Sequence, residues 1–141
     1  EIGLLANSIG AYFSLCDTPA GTFERAWLVS PLLDLEYYIR DIMAEYSVTD
    51  EQLEAETEIN TPRGVLEWPY LRFVKKHPAR LDIPSWIIRG DQDEMVPLGS
   101  LSRFVGAPGV ELVQIEGGQH FLGRPPYLDT VVAWFEERYP A

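Results

Sequence analysis

Residues 2–16 read Ile2-Gly3-Leu4-Leu5-Ala6-Asn7-Ser8-Ile9-Gly10-Ala11-Tyr12-Phe13-Ser14-Leu15-Cys16, and the way this stretch folds decides the architecture. The apolar run from Ile2 to Ala6 is short for a helix and fits a buried strand. Asn7-Ser8-Ile9-Gly10 then turns the chain, and Ala11 to Cys16 is compatible with a helix. A strand that runs through a sharp turn directly into a helix opens a βα unit. Further units should then follow along the chain.

They do. Arg25-Ala26-Trp27-Leu28-Val29-Ser30 is a second buried-strand pattern, stopped by Pro31. Ser85-Trp86-Ile87-Ile88-Arg89 is a third, and Val110 to Glu116 a fourth. Leu98, Leu101, Phe104 and Val105 are spaced for a helix between the last two strands. Pro125 is read as the start of a final helix carrying Leu128, Val131, Val132 and Phe135 on one face. Alternating strands and helices predict an α/β fold, a parallel sheet with flanking helices joined by right-handed crossovers. Four such strands leave that sheet unfinished at one edge.

Residues from about 35 to 82 interrupt the alternation and are read as a helical cap insertion within a single partial domain spanning 1–141. Leu35, Tyr38, Ile39, Ile42, Met43 and Tyr46 recur at helical spacing behind Asp34, a natural N-cap. Thr49 with Gln52 forms a capping-box pattern. The acidic run from Asp50 to Glu58 is a solvated face, and Trp68 to Lys76 is one more short helix ended by His77-Pro78.

Composition excludes several classes of partner. The net charge of −11 repels a phosphate backbone or an anionic lipid surface, so neither nucleic acid nor a membrane is expected. Spanning a bilayer needs roughly 20 consecutive apolar residues, and no stretch comes near that. Cys16 is the single cysteine, which rules out an internal disulfide and is compatible with a cytoplasmic setting. No His/Cys cluster has metal-ligand spacing and no Gly-rich loop cradles a phosphate, so neither a metal nor a cofactor is expected.

In an open parallel sheet, functional groups gather beyond the C-terminal ends of the strands. Ser8 follows the first strand, Asp93 the third and His120 the fourth. Each alone has a plain structural reading: an N-cap serine, an Asx-turn aspartate, an exposed loop histidine. Together they stand in the order Ser, Asp, His, each past the end of its strand. Asp34, past the second strand, and Asp91 are rivals for the acid. His77 is read as interacting with a helix C-terminus or with water, and Cys16 as a small packed apolar residue.

At this point the chain resembles the α/β-hydrolase fold superfamily. Ala6-Asn7-Ser8-Ile9-Gly10 is similar to the nucleophile elbow Gly-x-Ser-x-Gly, with Ala in the first glycine position, and small residues are expected there to avoid collision with neighbouring elements. Gly90-Asp91-Gln92-Asp93-Glu94-Met95-Val96-Pro97 resembles the family's acid loop and selects Asp93; Glu116-Gly117-Gly118-Gln119-His120-Phe121 resembles its histidine loop. The resemblance covers nearly the whole chain and matches the C-terminal half of the fold. It implies Ser8 as nucleophile, His120 as base, Asp93 as acid and the Ile9 N–H as one oxyanion donor. The second donor comes from an earlier strand that the resemblance places outside these residues, so the isolated piece is expected to have little activity. The implied substrate is a small acyl compound, a carboxylic ester or thioester. An acyltransferase or serine peptidase would use the same three residues, and a non-catalytic binding module would keep only the fold.

Overall fold

The computed structural model describes residues 2–139. The elements run β1 (Gly3–Asn7), α1 (Ile9–Asp17), β2 (Arg25–Val29), α2 (Leu35–Glu45), α3 (Asp50–Glu56), β3 (Glu58–Thr61), β4 (Gly64–Glu67), α4 (Trp68–Lys76), β5 (Ser85–Gly90), a short 3₁₀ turn (Leu98–Leu101), β6 (Val110–Ile115) and α5 (Leu128–Arg138). The chain divides into two compact units, one running up to Leu33 and resuming at Ala79, the other Asp34–Pro78.

The first unit is the expected α/β layer. Its four strands lie in the order β1-β2-β5-β6, every pair parallel. The strands alternate between two buried faces, which is why they read as continuous apolar runs. Ala26 and Leu28 point to one side of β2 and join Leu4, Ala11, Ile87 and Phe104; Trp27 points to the other and joins Ile88, Leu122 and Trp134. α1 therefore covers one face and α5 the opposite one. Trp27 stacks on Trp86 with ring centroids 5.3 Å apart. Among the described residues β1 pairs only with β2 and is an edge strand, with Leu5 60% exposed.

Two sequence expectations for this unit need correction. Leu98 to Val105 forms no regular helix but one 3₁₀ turn and a series of turns, because Gly99, Ser100 and Ser102 are weak helix formers and Gly106 with φ 90 ends the run. The last helix begins at Leu128, not Pro125, since Pro126 disfavours helical torsions at Pro125. Its core-facing residues are Val131, Trp134 and Phe135, whereas Leu128 and Val132 are 40% and 45% exposed.

The second unit contains the three expected helices. The Asp34 carboxylate accepts the Tyr37 N–H at 3.0 Å, and the Thr49/Gln52 capping box closes at both ends. α2 buries Leu35, Ile39, Ile42 and Met43. The unit is not wholly helical, however. Glu58–Thr61 and Gly64–Glu67 pair antiparallel as a hairpin. Its turn is made by Pro62-Arg63, with Thr61 Oγ1 donating to the Gly64 carbonyl at 2.7 Å and accepting the Arg63 N–H at 3.2 Å. Gly64 sits at φ 133, a conformation open to glycine and strained for other residues. Arg63 then ties the hairpin to α2 through Asp41 and Glu45 at 2.9 and 2.7 Å.

Candidate active site

Loops beyond the ends of three strands, β1, β5 and β6, converge on one constellation. β1 ends at Asn7, and Ser8 follows at φ 51 and ψ −132, a backbone conformation that side chains other than glycine's rarely adopt. Three backbone bonds hold it there. The Ser8 N–H donates to the Val29 carbonyl at 3.1 Å, and the Ser8 carbonyl accepts from Ala11 at 3.2 Å and from Leu32 at 3.0 Å. The Asn7 side chain adds a fourth tie by donating to Val29 O at 3.0 Å. The hydroxyl is thereby turned out of the strand at the N-terminus of α1.

His120 meets both partners. Its Nε2 lies 2.9 Å from Ser8 Oγ, and its Nδ1 lies 2.9 Å from Asp93 Oδ2. The imidazole is 5% exposed and the Asp93 side chain fully buried. The other carboxylate oxygen, Oδ1, accepts the N–H groups of Met95 and Val96 at 3.0 and 2.9 Å. Burial pushes the Asp93 carboxyl up. Hydrogen bonds from His120 and the Val96 amide, with the charges of His120 and Arg89, outweigh it and leave the group below the usual carboxylate range. Asp93 is therefore an ionised acceptor aimed at Nδ1, the orientation that leaves Nε2 free to accept a proton from the serine.

The acid loop and the histidine loop are bound to each other. The Asp91 carboxylate accepts the Gly117 N–H at 2.8 Å, and the Gln92 N–H donates to the Gly118 carbonyl at 2.9 Å. Gly90 and Gly118 pass so close that a Cβ on Gly90 would stand 2.0 Å from the Gly118 carbonyl oxygen. Tyr127 Oη donates to the Gly117 carbonyl at 2.8 Å. The sequence gives Asp91 only as a rival acid; in the structure it holds the neighbouring loop.

The remaining candidates fall elsewhere. Asp34 caps α2. His77 ends α4, with Nδ1 2.8 Å from the Phe73 carbonyl and its ring stacked on Phe73. Cys16 is half-buried on α1, and burial raises its thiol pKa. Gly10 differs from its expected role: a Cβ there would meet nothing within 4 Å, whereas one on Gly3 would lie 2.7 Å from the Trp27 ring. The crowded glycine is the one on the strand. Among the described residues, no group of three His, Cys, Asp or Glu side chains is placed to hold a metal, and no helix is long and apolar enough to cross a membrane. An apolar hollow of about 550 Å³ runs between β1 and α5, lined by Leu5, Asn7, Phe121, Val132 and Phe135 among others, but by none of the three converging residues.

No protein-family model matches the chain, and no curated protein matches it. Solved structures do. The chain superposes on alpha/beta hydrolase domain-containing protein 10 from mouse with a TM-score of 0.74 at 14% identity, over 96% of this chain and 60% of that one. Est1E from Butyrivibrio proteoclasticus gives 0.64 at 20% identity, over 94% and 59%. An alpha-beta serine hydrolase homologue from Coxiella burnetii gives 0.54 at 21%, over 97% and 49%. The chain thus spans about 60% or less of the length of these structures. Its parallel sheet with flanking helices is part of the α/β-hydrolase fold.

Proposed function

We propose that the complete protein is a serine hydrolase that cleaves a small carboxylic ester or thioester through Ser8, His120 and Asp93. The observation that carries this reading is the hydrogen-bonded line from Ser8 Oγ through His120 to a buried, ionised Asp93, made by residues from three separate loops. A serine hydroxyl is a weak nucleophile at its own pKa and needs a base within hydrogen-bond reach. His120 Nε2 takes the Oγ proton as Oγ attacks the acyl carbonyl carbon, while Asp93 holds the ring and stabilises the imidazolium. The same proton then passes to the leaving alcohol or thiol, giving acyl-Ser8. A water molecule, deprotonated by His120, attacks the acyl carbon and releases the acid with Ser8 restored.

Negative charge on the carbonyl oxygen needs donors aimed at it. Ile9 begins α1, so its N–H belongs to the first turn, where amides lack intrahelical acceptors. It is the donor this chain offers; the Ser8 N–H is already engaged by Val29. The fold shared with a serine hydrolase homologue supports the reading without fixing a substrate.

The test is labelling of the complete protein with a fluorophosphonate, beside its Ser8→Ala variant, with mass spectrometry of the modified peptide. Labelling at Ser8 that disappears in the variant is expected. A folded, unlabelled wild type would instead favour a binding module that keeps the fold and lacks turnover.

A further inference from the structure

Arg89 is a charged residue near the end of a buried strand. It lies in β5 between Ile88 and Gly90 and is 3% exposed. Its Nη1 donates to Gln114 Oε1 at 3.0 Å on the neighbouring strand. Its Nη2 donates to two backbone carbonyls of the acid loop, Asp93 at 3.3 Å and Val96 at 3.2 Å. Nε has no partner among the described residues. A buried guanidinium bonded to neutral oxygens is a costly way to fill a core, since an apolar side chain of similar volume does so without desolvating a charge. Packing alone therefore does not account for it.

The partners supply the account. The turn from Asp93 to Val96 is gripped on both sides: the Met95 and Val96 amides hold the Asp93 carboxylate, and the Asp93 and Val96 carbonyls hold Arg89. The planar guanidinium reaches these carbonyls and Gln114 at once, in a fork that fixes direction as well as distance. We propose that Arg89 is the positioning residue of the acid loop, a clamp that keeps the Asp93 carboxylate in line with His120 Nδ1. It touches no reacting atom and acts only through Asp93. The positive charge also favours the ionised carboxylate, in the direction already noted for Asp93.

The kinetic part of this inference rests on the serine-hydrolase reading; the spectroscopic part does not. In the complete protein, Arg89→Met keeps the volume and removes the fork, and Arg89→Lys keeps a buried charge but offers a single point donor. Fluorophosphonate labelling at saturating and limiting probe separates the rate at Ser8 from probe affinity. Arg89→Met is expected to slow the labelling step by about 10- to 100-fold with little change in apparent affinity, and Arg89→Lys to fall between it and wild type. Proton NMR reads the clamp directly: the far-downfield signal of the His120 Nδ1–H on Asp93 is expected in wild type and lost or shifted upfield in Arg89→Met. Circular dichroism establishes which variants are folded. Wild-type rate and wild-type resonance in either folded variant would overturn the proposal. If wild type itself fails to label while its resonance depends on Arg89, the clamp stands and the hydrolase reading falls.

Discussion

Replacing Ser8 by glycine and by alanine compares two variants that lose the same hydroxyl and the same bond to His120. They differ in the Cβ, held at φ 51 and ψ −132. A non-glycine residue in such a region carries about 1–3 kcal/mol of strain, which glycine does not. Against this, glycine loses about 0.5–1 kcal/mol more than alanine through backbone entropy. Ser8→Gly is therefore expected to be more stable than Ser8→Ala by about 1 kcal/mol, within a range of roughly 0–2.5, or a few degrees in melting temperature for a chain of this size. Ser14, inside α1, supplies the control: there glycine should be the less stable by about 1 kcal/mol. Urea unfolding of all four variants, with melting curves alongside, measures both differences. If glycine at position 8 proves less stable than alanine by the margin seen at position 14, the elbow is unstrained and the reasoning fails.

Three further outcomes follow from the same contacts. Asp93→Asn should lower stability by about 1–3 kcal/mol at neutral pH. Because the folded carboxyl lies below its ordinary value, its contribution is present above about pH 4 and lost as pH falls through the folded value. Unfolding curves of wild type and variant should thus converge in acid; a gap independent of pH would contradict the charge argument. Gly90→Ala would force a Cβ onto the Gly118 carbonyl, 2.0 Å away, so a loss of about 3 kcal/mol or more and of Ser8 labelling is expected; a near-neutral variant would contradict the tight loop packing. Gly10→Ala meets nothing within 4 Å at the start of α1 and should stabilise by about 0.5–1 kcal/mol in a thermal melt. Destabilisation there would restore the steric role that the elbow pattern assigns to the glycine.

The parallel sheet and the positions of Ser8, Asp93 and His120 were legible because each rests on a local signal: an apolar strand ending in a turn, with a chemistry-bearing residue just past the end. The hairpin at Glu58–Glu67 was not, because Glu58 reads as the end of the acidic run and two strands of four residues are too short to show a clear alternation. Its one clue was Pro62-Arg63-Gly64, whose turn-forming residues punctuate that run. The last helix misled through Pro125, a good first helical residue on its own but not when another proline follows.

The supports of the site were hidden for a deeper reason. Asp91 and Gly118 matter only because the acid and histidine loops touch, and that contact joins residues 26 or more positions apart. The strain at Ser30, with φ 43, is equally invisible, since serine carries no preference for positive φ and only the surrounding bonds impose it; at Ser8 it is implied only by the resemblance to the elbow. Arg89 is the exception. A charge inside the run Trp86-Ile87-Ile88-Arg89 is an anomaly in the sequence itself, because arginine is almost never fully buried without partners. A charged residue one position from the end of a buried strand should direct attention to the backbone of the loop that follows, where carbonyls able to hold it are found, and in this chain that loop carries Asp93.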